Sequence, residues 1–223
     1  MTIHAVVNLY NDVRFLSAML ESLKGNVDSI IVADGAYDLY YKEHLNYNPD
    51  AKPWSTDGSL EMFDCLKGLP KIHFIKCPHQ KPWPNQCIKR NALIDAVPLD
   101  DWFIVLDADC MINGNFPVGM SDIMDSGCAV AHVPLYNAGM AVERLYPYWH
   151  AQVFQKMPGM HYSGTHWLLR DAFDRIIETT YPMKWTDLFV VVHFKQFKEV
   201  DRLKMHDAYM DMMGAQGWVE PYQ

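Results

Sequence analysis

Two carboxylates stand one residue apart at the end of an apolar run. In WFIVLDADCMI (102–112), Trp102 to Leu106 are apolar and Asp107-Ala108-Asp109 follow. The run predicts a buried strand, and residues i and i+2 of an extended chain point the same way. Two carboxylates on one side of a strand tip, with no basic residue beside them in sequence, repel unless a cation joins them. Hard divalent ions take oxygen ligands, and Mg2+ or Mn2+ commonly also holds substrate phosphates. The chemistry such a tip supports is a metal clamp for a diphosphate. The plainer alternative is a turn closed by aspartates, which often end strands.

The elements that must position this tip follow a β-α-β rhythm. Residues 3–9 (IHAVVNL) predict a buried strand. Asn11 or Asp12 caps a helix over Val13–Lys24, with Phe15, Leu16, Met19, Leu20 and Leu23 on one face and Gly25 as its stop. Residues 28–33 form a second strand, ended by Asp34-Gly35. Residues 36–54 are polar, aromatic-rich and weakly periodic, which predicts a long loop or small excursion. A short helix after residue 55, a strand over 71–77, a helix over 86–97 and the strand 101–106 complete the first half. The second half is less regular. It predicts a helix from Pro117, a strand over 128–136, strands and loops over 146–169, a helix over 170–178, a buried strand over 187–194 and a closing helix over 195–214. The expectation is one α/β domain with a Rossmann-like, mostly parallel central sheet flanked by helices. Residues 1–115 would form the nucleotide-binding half, with 36–54 inserted, and 116–223 the acceptor side.

Several stretches in this order resemble the GT-A glycosyltransferases, in particular the inverting family 2 type. VVNLYNDVRFLSAMLESL is similar to the family's first strand and helix, with Tyr10-Asn11-Asp12 in register and Asn8 in place of a usual proline. Val32-Ala33-Asp34-Gly35 matches the start of its second-strand motif, and STDGSLEMFDCL (55–66) resembles the continuation, displaced by the 36–54 insertion. KRNALIDAVPLDDWFIVLDAD is similar to the helix and strand that carry the family's acidic pair. The resemblance implies a nucleotide-sugar donor, UDP-linked, held by Tyr10, Asp12, Asp34, Arg90, Asn91 and Asp107, with Lys89 as an alternative to Arg90 at the diphosphate. It implies Mn2+ or Mg2+ on Asp107 and Asp109. A third metal ligand is expected from His193, which ends the apolar run LFVVV as Asp107 ends FIVL. Lys195, Lys198 and Arg202 face either phosphate or solvent.

MHYSGTHWLLRD (160–171) is a second dense constellation, in which Gly164 permits close backbone approach. Gly164, His166 and Trp167, with His161 and Tyr162, would wall the place where sugar meets acceptor. Inverting transfer needs a base on the acceptor hydroxyl. The family's acidic pair before a late helix is absent here. Asp187 is the nearest candidate, with Asp171, Asp174 and Glu143 as competitors.

Net charge −8, from 19 basic and 27 acidic residues, weighs against nucleic acid or an anionic membrane as the main partner. Five scattered cysteines without CxxC spacing argue for free thiols in a reducing cytoplasm. The start MTIHAVVNLY lacks a charged region before its apolar residues, so no targeting segment is expected, and no apolar run is long enough to span a bilayer. The expected activity is transfer of a sugar to an acceptor hydroxyl on a glycan, small molecule or modified nucleic acid. The rivals are a phage-type enzyme acting on modified DNA bases, a nucleotidyltransferase, and a silent nucleotide-binding relative. The glycine-poor NLYNDVRF counts against a nucleotidyltransferase. The oligomeric state is not legible.

Overall fold

The apolar runs set the frame. The computed structural model describes residues 1–138, 148–164, 168–194, 207 and 211. β1 (Ile3–Leu9) pairs in parallel with β2 (Ser29–Asp34) across α1 (Val13–Leu23), which buries Leu16, Met19, Leu20 and Leu23. Neither Asn11 nor Asp12 caps α1 through its side chain. The Val13 amide donates to Asp57 Oδ2 at 2.9 Å, so a segment 44 residues on closes the helix.

The 36–54 insertion is not a plain loop. It contains α2 (Asp38–Tyr47), which buries only His44 and carries a solvent-side Lys42–Asp38 pair. So little apolar periodicity is why the sequence hides it. The insertion closes on itself where the Ala36 amide donates to the Pro53 carbonyl. Gly35, at φ +113, is required there: a Cβ would sit 2.8 Å from that carbonyl oxygen. Chain order then continues through α3 (Ser59–Cys65), β3 (Lys71–Ile75), α4 (Gln86–Asp95) and β4 (Trp102–Asp107). Asn85 caps α4 by accepting from the Ile88 amide.

Beyond the acidic tip come β5 (Cys110–Gly114), α5 (Phe116–Asp125), β6 (Val130–Asn137), β7 (Tyr148–Gln155), β8 (His161–Tyr162), β9 (Leu169–Arg170), α6 (Ile177–Thr180), β10 (Met183–Trp185) and β11 (Phe189–His193). The helix expected over 170–178 reduces to Ile177–Thr180. Asp171 instead organises a turn, accepting from the Phe173 and Arg175 amides, the Arg175 side chain and the Tyr181 hydroxyl. A short polar side chain that offers the backbone such bonds competes with helix. Apart from Asp207 and Asp211, the expected closing helix lies outside the described residues.

Nine strands form the main sheet, in the order β3-β2-β1-β4-β7-β6-β11-β5, with β10 also on β6. β7 is antiparallel to β4 and β6, and β5 to β11; the other pairings are parallel. One face packs on α1, α3 and α5; the other packs on α4, β8, β9 and α6. β4 sits at the centre, with Trp102, Phe103, Ile104 and Leu106 at most 2% exposed. Each such side chain contributes roughly 1.5–3 kcal/mol by burial, so the strand that ends in the acidic tip is firmly held. Among the described residues, no helix is long and apolar enough to cross a membrane.

Candidate functional site

The acidic tip is divided rather than twinned. β4 ends at Asp107, and Ala108-Asp109 turn before β5 begins. The two carboxylates still act on each other across the turn, the charge of Asp109 working to raise the Asp107 pKa. The Asp107 side chain is 41% exposed and accepts from Arg90 Nη2 at 2.9 Å and Asn8 Nδ2 at 3.1 Å. Arg90 arrives from α4, so the balancing cation lies close in space though not in sequence. Burial works to raise the Asp107 pKa, but Arg90 outweighs it and holds the carboxyl below the usual range.

Asp109 is 1% exposed, and its Oδ2 lies 3.1 Å from His193 Nε2. The antiparallel register sets His193 opposite Cys110. The ligand atoms of Asp109, Cys110 and His193 all lie within 4.8 Å of one another. His193 Nδ1 is 3.0 Å from Asn137 Oδ1, with the Asn137 amide oriented so that its Nδ2 donates to the Tyr148 hydroxyl. These contacts hold the ring in place and set Nε2 against the Asp109 carboxylate. A carboxylate oxygen and an imidazole nitrogen at this distance can hydrogen-bond directly or together hold a metal ion. The carboxylate and imidazole donors suit a first-row divalent ion such as Mn2+. Asp107 lies outside this grouping, although the charges of Asp109 and His193 act on it.

The nucleotide-side expectations divide in the same way. Asp34 is buried, and Ser55 answers both its oxygens, through its amide at 3.1 Å and its Oγ at 2.6 Å. The segment 55–66 therefore does return to the end of β2 across the insertion. Lys89 is 1% exposed and donates to the Leu9 carbonyl at 2.8 Å and the Gly35 carbonyl at 2.5 Å, tying the ends of β1 and β2 together. Burial drives its pKa down to about 7 against the pull of Asp34 and Asp107. Tyr10 is buried toward the insertion, its hydroxyl between His44 Nδ1 at 2.8 Å and the Lys52 carbonyl at 2.9 Å. Asp12 stands at the start of α1, its amide held by Ser59 Oγ.

Asn91 does not face this pocket. Its amide clamps Tyr162, donating to that residue's carbonyl at 3.1 Å and accepting from its N–H at 2.6 Å. The bond docks β8 on α4 and buries the Tyr162 phenol beside Arg90 and Asp107; burial pushes its pKa up to about 12. Gly164 is exposed at φ +73 with open space around it. His166, Trp167, Glu143, Lys195, Lys198 and Arg202 lie outside the described residues.

Asp187 is not brought to the cluster. It is exposed just before β11, whereas His193 ends that strand, so β11 alone separates them by about 13 Å. Asp171 is committed to its turn: burial would raise its pKa, but the Arg175 and backbone bonds hold it well below the usual range. Asp174 pairs with Arg170 and His161 on the surface.

Asn8, Ser55, Cys110, Asn137 and Tyr148 escaped the sequence reading. Asn8 carried a signal, since it is polar near the end of a mostly apolar strand, and it stands in register with Asp107. Asn137 and Tyr148 gave none; only the β6–β7 pairing brings them together.

No family model and no curated protein sequence matches this chain. Among solved structures, it is similar to glucosyl-3-phosphoglycerate synthase from Mycobacterium tuberculosis, with TM-score 0.51 and 14% identity over 99% of this chain and 81% of that one. It is also similar to residues 1–349 of S. aureus TarS, with TM-score 0.48 and 14% identity over 63% of this chain and 37% of that one. 4-Diphosphocytidyl-2C-methyl-D-erythritol synthase from Anaerococcus prevotii gives TM-score 0.44 and 9% identity over 94% and 96%. The chain thus spans little more than a third of the TarS structure. The fold is GT-A-like, with the expected mostly parallel sheet flanked by helices.

Proposed function

We propose that this chain is a metal-dependent glycosyltransferase of family 2 type, moving a sugar from a UDP-linked donor to an acceptor hydroxyl. The observation that carries the reading is the pairing of Asp109 Oδ2 with His193 Nε2 at 3.1 Å, beside the Arg90–Asp107 pair, at the carboxyl end of the central strands. The fold is also that of a synthase crystallised with Mn2+ and UDP.

The residues take separate tasks. Asp109 and His193 would hold Mn2+ or Mg2+, with the neighbouring Cys110 thiol too soft a donor to add to the hold on such an ion, and the metal would neutralise charge on the departing diphosphate. Arg90 remains cationic and fixes Asp107, whose other carboxylate oxygen is left to accept a donor hydroxyl. Asn137 locks the His193 ring, so the ligand nitrogen needs no reorientation when a donor arrives. Lys89 and Ser55 hold the β1 and β2 ends and Asp34, which together form the floor under the base.

Calorimetry of UDP with and without Mn2+, followed by Mn2+-dependent hydrolysis of UDP-hexoses, tests the reading. Tight UDP binding that needs Mn2+, with release of free sugar, is the expected result. Absence of both metal binding and turnover with every nucleotide-sugar would sink it. Release of pyrophosphate from a nucleoside triphosphate would move the chain to nucleotidyl transfer.

A further inference from the structure

The sheet carries an aromatic patch that the donor site does not use. Trp149 of β7 is 39% exposed and Trp185 of β10 is 51% exposed. Their rings meet edge to face at 5.2 Å. Trp185 lies flat against His132 of β6 at 4.5 Å, as the β6–β10 register sets the two side by side. His132 is 8% exposed, and neither ring nitrogen has a hydrogen-bond partner among the described residues. The nearest carboxylate is Glu178 of α6, whose Oε2 is 3.5 Å from His132 Nε2 and whose side chain is 17% exposed.

A native fold seldom leaves a buried imidazole unanswered or two indoles bare without use. The location suggests the use. Trp149 pairs with Pro134, and β6 runs on for three residues, about 10 Å, to Asn137, which holds His193. The patch therefore begins near the metal-ligating end of the sheet and runs away from it.

We propose that Trp149, Trp185, His132 and Glu178 form a saccharide subsite, and that the acceptor is a glycan whose non-reacting sugars lie on the two indoles. This rests on the glycosyltransferase reading. A pyranose ring presents a flat face of C–H groups that suits an indole face, and a rim of hydroxyls that need both donors and acceptors. Glu178 and His132 meet that rim. Burial raises the Glu178 pKa and, with the charge of His150, lowers that of His132. A nucleic-acid acceptor would need unengaged cations beside the patch. The lysine on β10, Lys184, is instead paired with Asp122 at 3.1 Å.

Saturation-transfer difference NMR and calorimetry with cellotetraose, chitotetraose and maltotetraose, on the whole chain without nucleotide, test the subsite. Saturable binding of at least one tetrasaccharide is expected. Trp149→Ala and Trp185→Ala should each weaken it at least tenfold, and Trp185→Phe less, with the UDP–Mn2+ isotherm and the circular dichroism spectrum unchanged in all three. No saturable binding to any of the three sugars, or binding that survives both alanine variants unchanged, overturns the proposal. A wild-type dimer dissolved by Trp185→Ala overturns it too and assigns the patch to a second copy. Wild type that binds a tetrasaccharide but neither UDP nor Mn2+ sinks the transferase reading and leaves a saccharide site. The reverse result sinks the subsite alone.

Discussion

Around β1, β2 and β4 the charged groups of the site find partners within the fold, although Arg90 Nε and Asn8 Oδ1 have no hydrogen-bond partner among the described residues. Asp34 meets Ser55, Lys89 meets two carbonyls, and Asp107 meets Arg90 and Asn8. Around β6, β7 and β10 two indoles are half-exposed, and the ring nitrogens of the buried His132 have no hydrogen-bond partner among the described residues, with Glu178 3.5 Å away. A parallel strand buried on both faces can hold a charge only if the fold itself supplies the counter-group. The half-exposed indoles of β7 and β10 leave surface that a ligand can complete. On the reading proposed above, the first region would bind one donor shape and the second would accept chains that differ beyond the reacting sugar.

The metal pair tests the first half of that contrast most sharply. Asp109→Ala should reduce donor turnover by about 10³-fold, the loss expected when charge stabilisation at a leaving group is removed. Asp109→Asn keeps the volume and should lose activity to a similar degree, with the thermal midpoint within about 5 °C of wild type. Manganese titration by calorimetry should show no binding to either variant. Activity close to wild type would remove Asp109 from the clamp.

Lys89 gives a pH dependence whose sign can be worked out. Its pKa in the folded chain is about 7, below the roughly 10.4 of an unfolded lysine. Between those values the unfolded chain binds more protons, so stability rises with pH from 7 toward 10 and is lost as pH falls through 7. Lys89→Met should flatten that rise by up to about 1 kcal/mol per pH unit in urea unfolding. Lys156, whose pKa burial also lowers, leaves a residual slope. A profile as steep as wild type would mean that Lys89 stays charged in the fold.

Ser55→Ala removes two-fold support from Asp34 only in part, since the amide bond stays and the hydroxyl bond goes. The expected cost is about 1–2 kcal/mol of stability, as for a hydrogen bond to a buried charged group. Weaker UDP binding should accompany it. A loss of stability with an unaltered UDP isotherm would make Asp34 structural.

What the sequence disclosed follows from the same contrast. β1, β2 and β4 were legible because strands buried on both faces read as unbroken apolar runs, and the groups at their ends fall next to them in the chain. The acidic tip itself stood out on that basis, whereas the pairing of Arg90 with Asp107 needed the packing of α4 against β4. The link from His193 through Asn137 to Tyr148 depends on which strands pair, and no local pattern encodes that. α2 escaped because a helix packed through little more than His44 has no apolar stripe. The 170–178 helix was overcalled because its apolar spacing outweighed the turn chemistry of Asp171.

Asp187 provides the smallest expected effect and a check on the geometry. In sequence it was the nearest acid to the place where the family keeps its base. In the fold it is exposed before β11, at the opposite end of that strand from His193. A base must come within hydrogen-bond reach of the hydroxyl it deprotonates, and a rigid, centrally paired strand cannot close a gap of about 13 Å. Asp187→Asn should therefore change kcat by less than about twofold, since only a solvated surface carboxylate is altered. A loss of 10²-fold or more, the size of a missing general base, would require Asp187 and the Asp109–His193 pair to meet in a conformation different from this one. The division between a closed donor side and an open acceptor side would then have to be redrawn around β11.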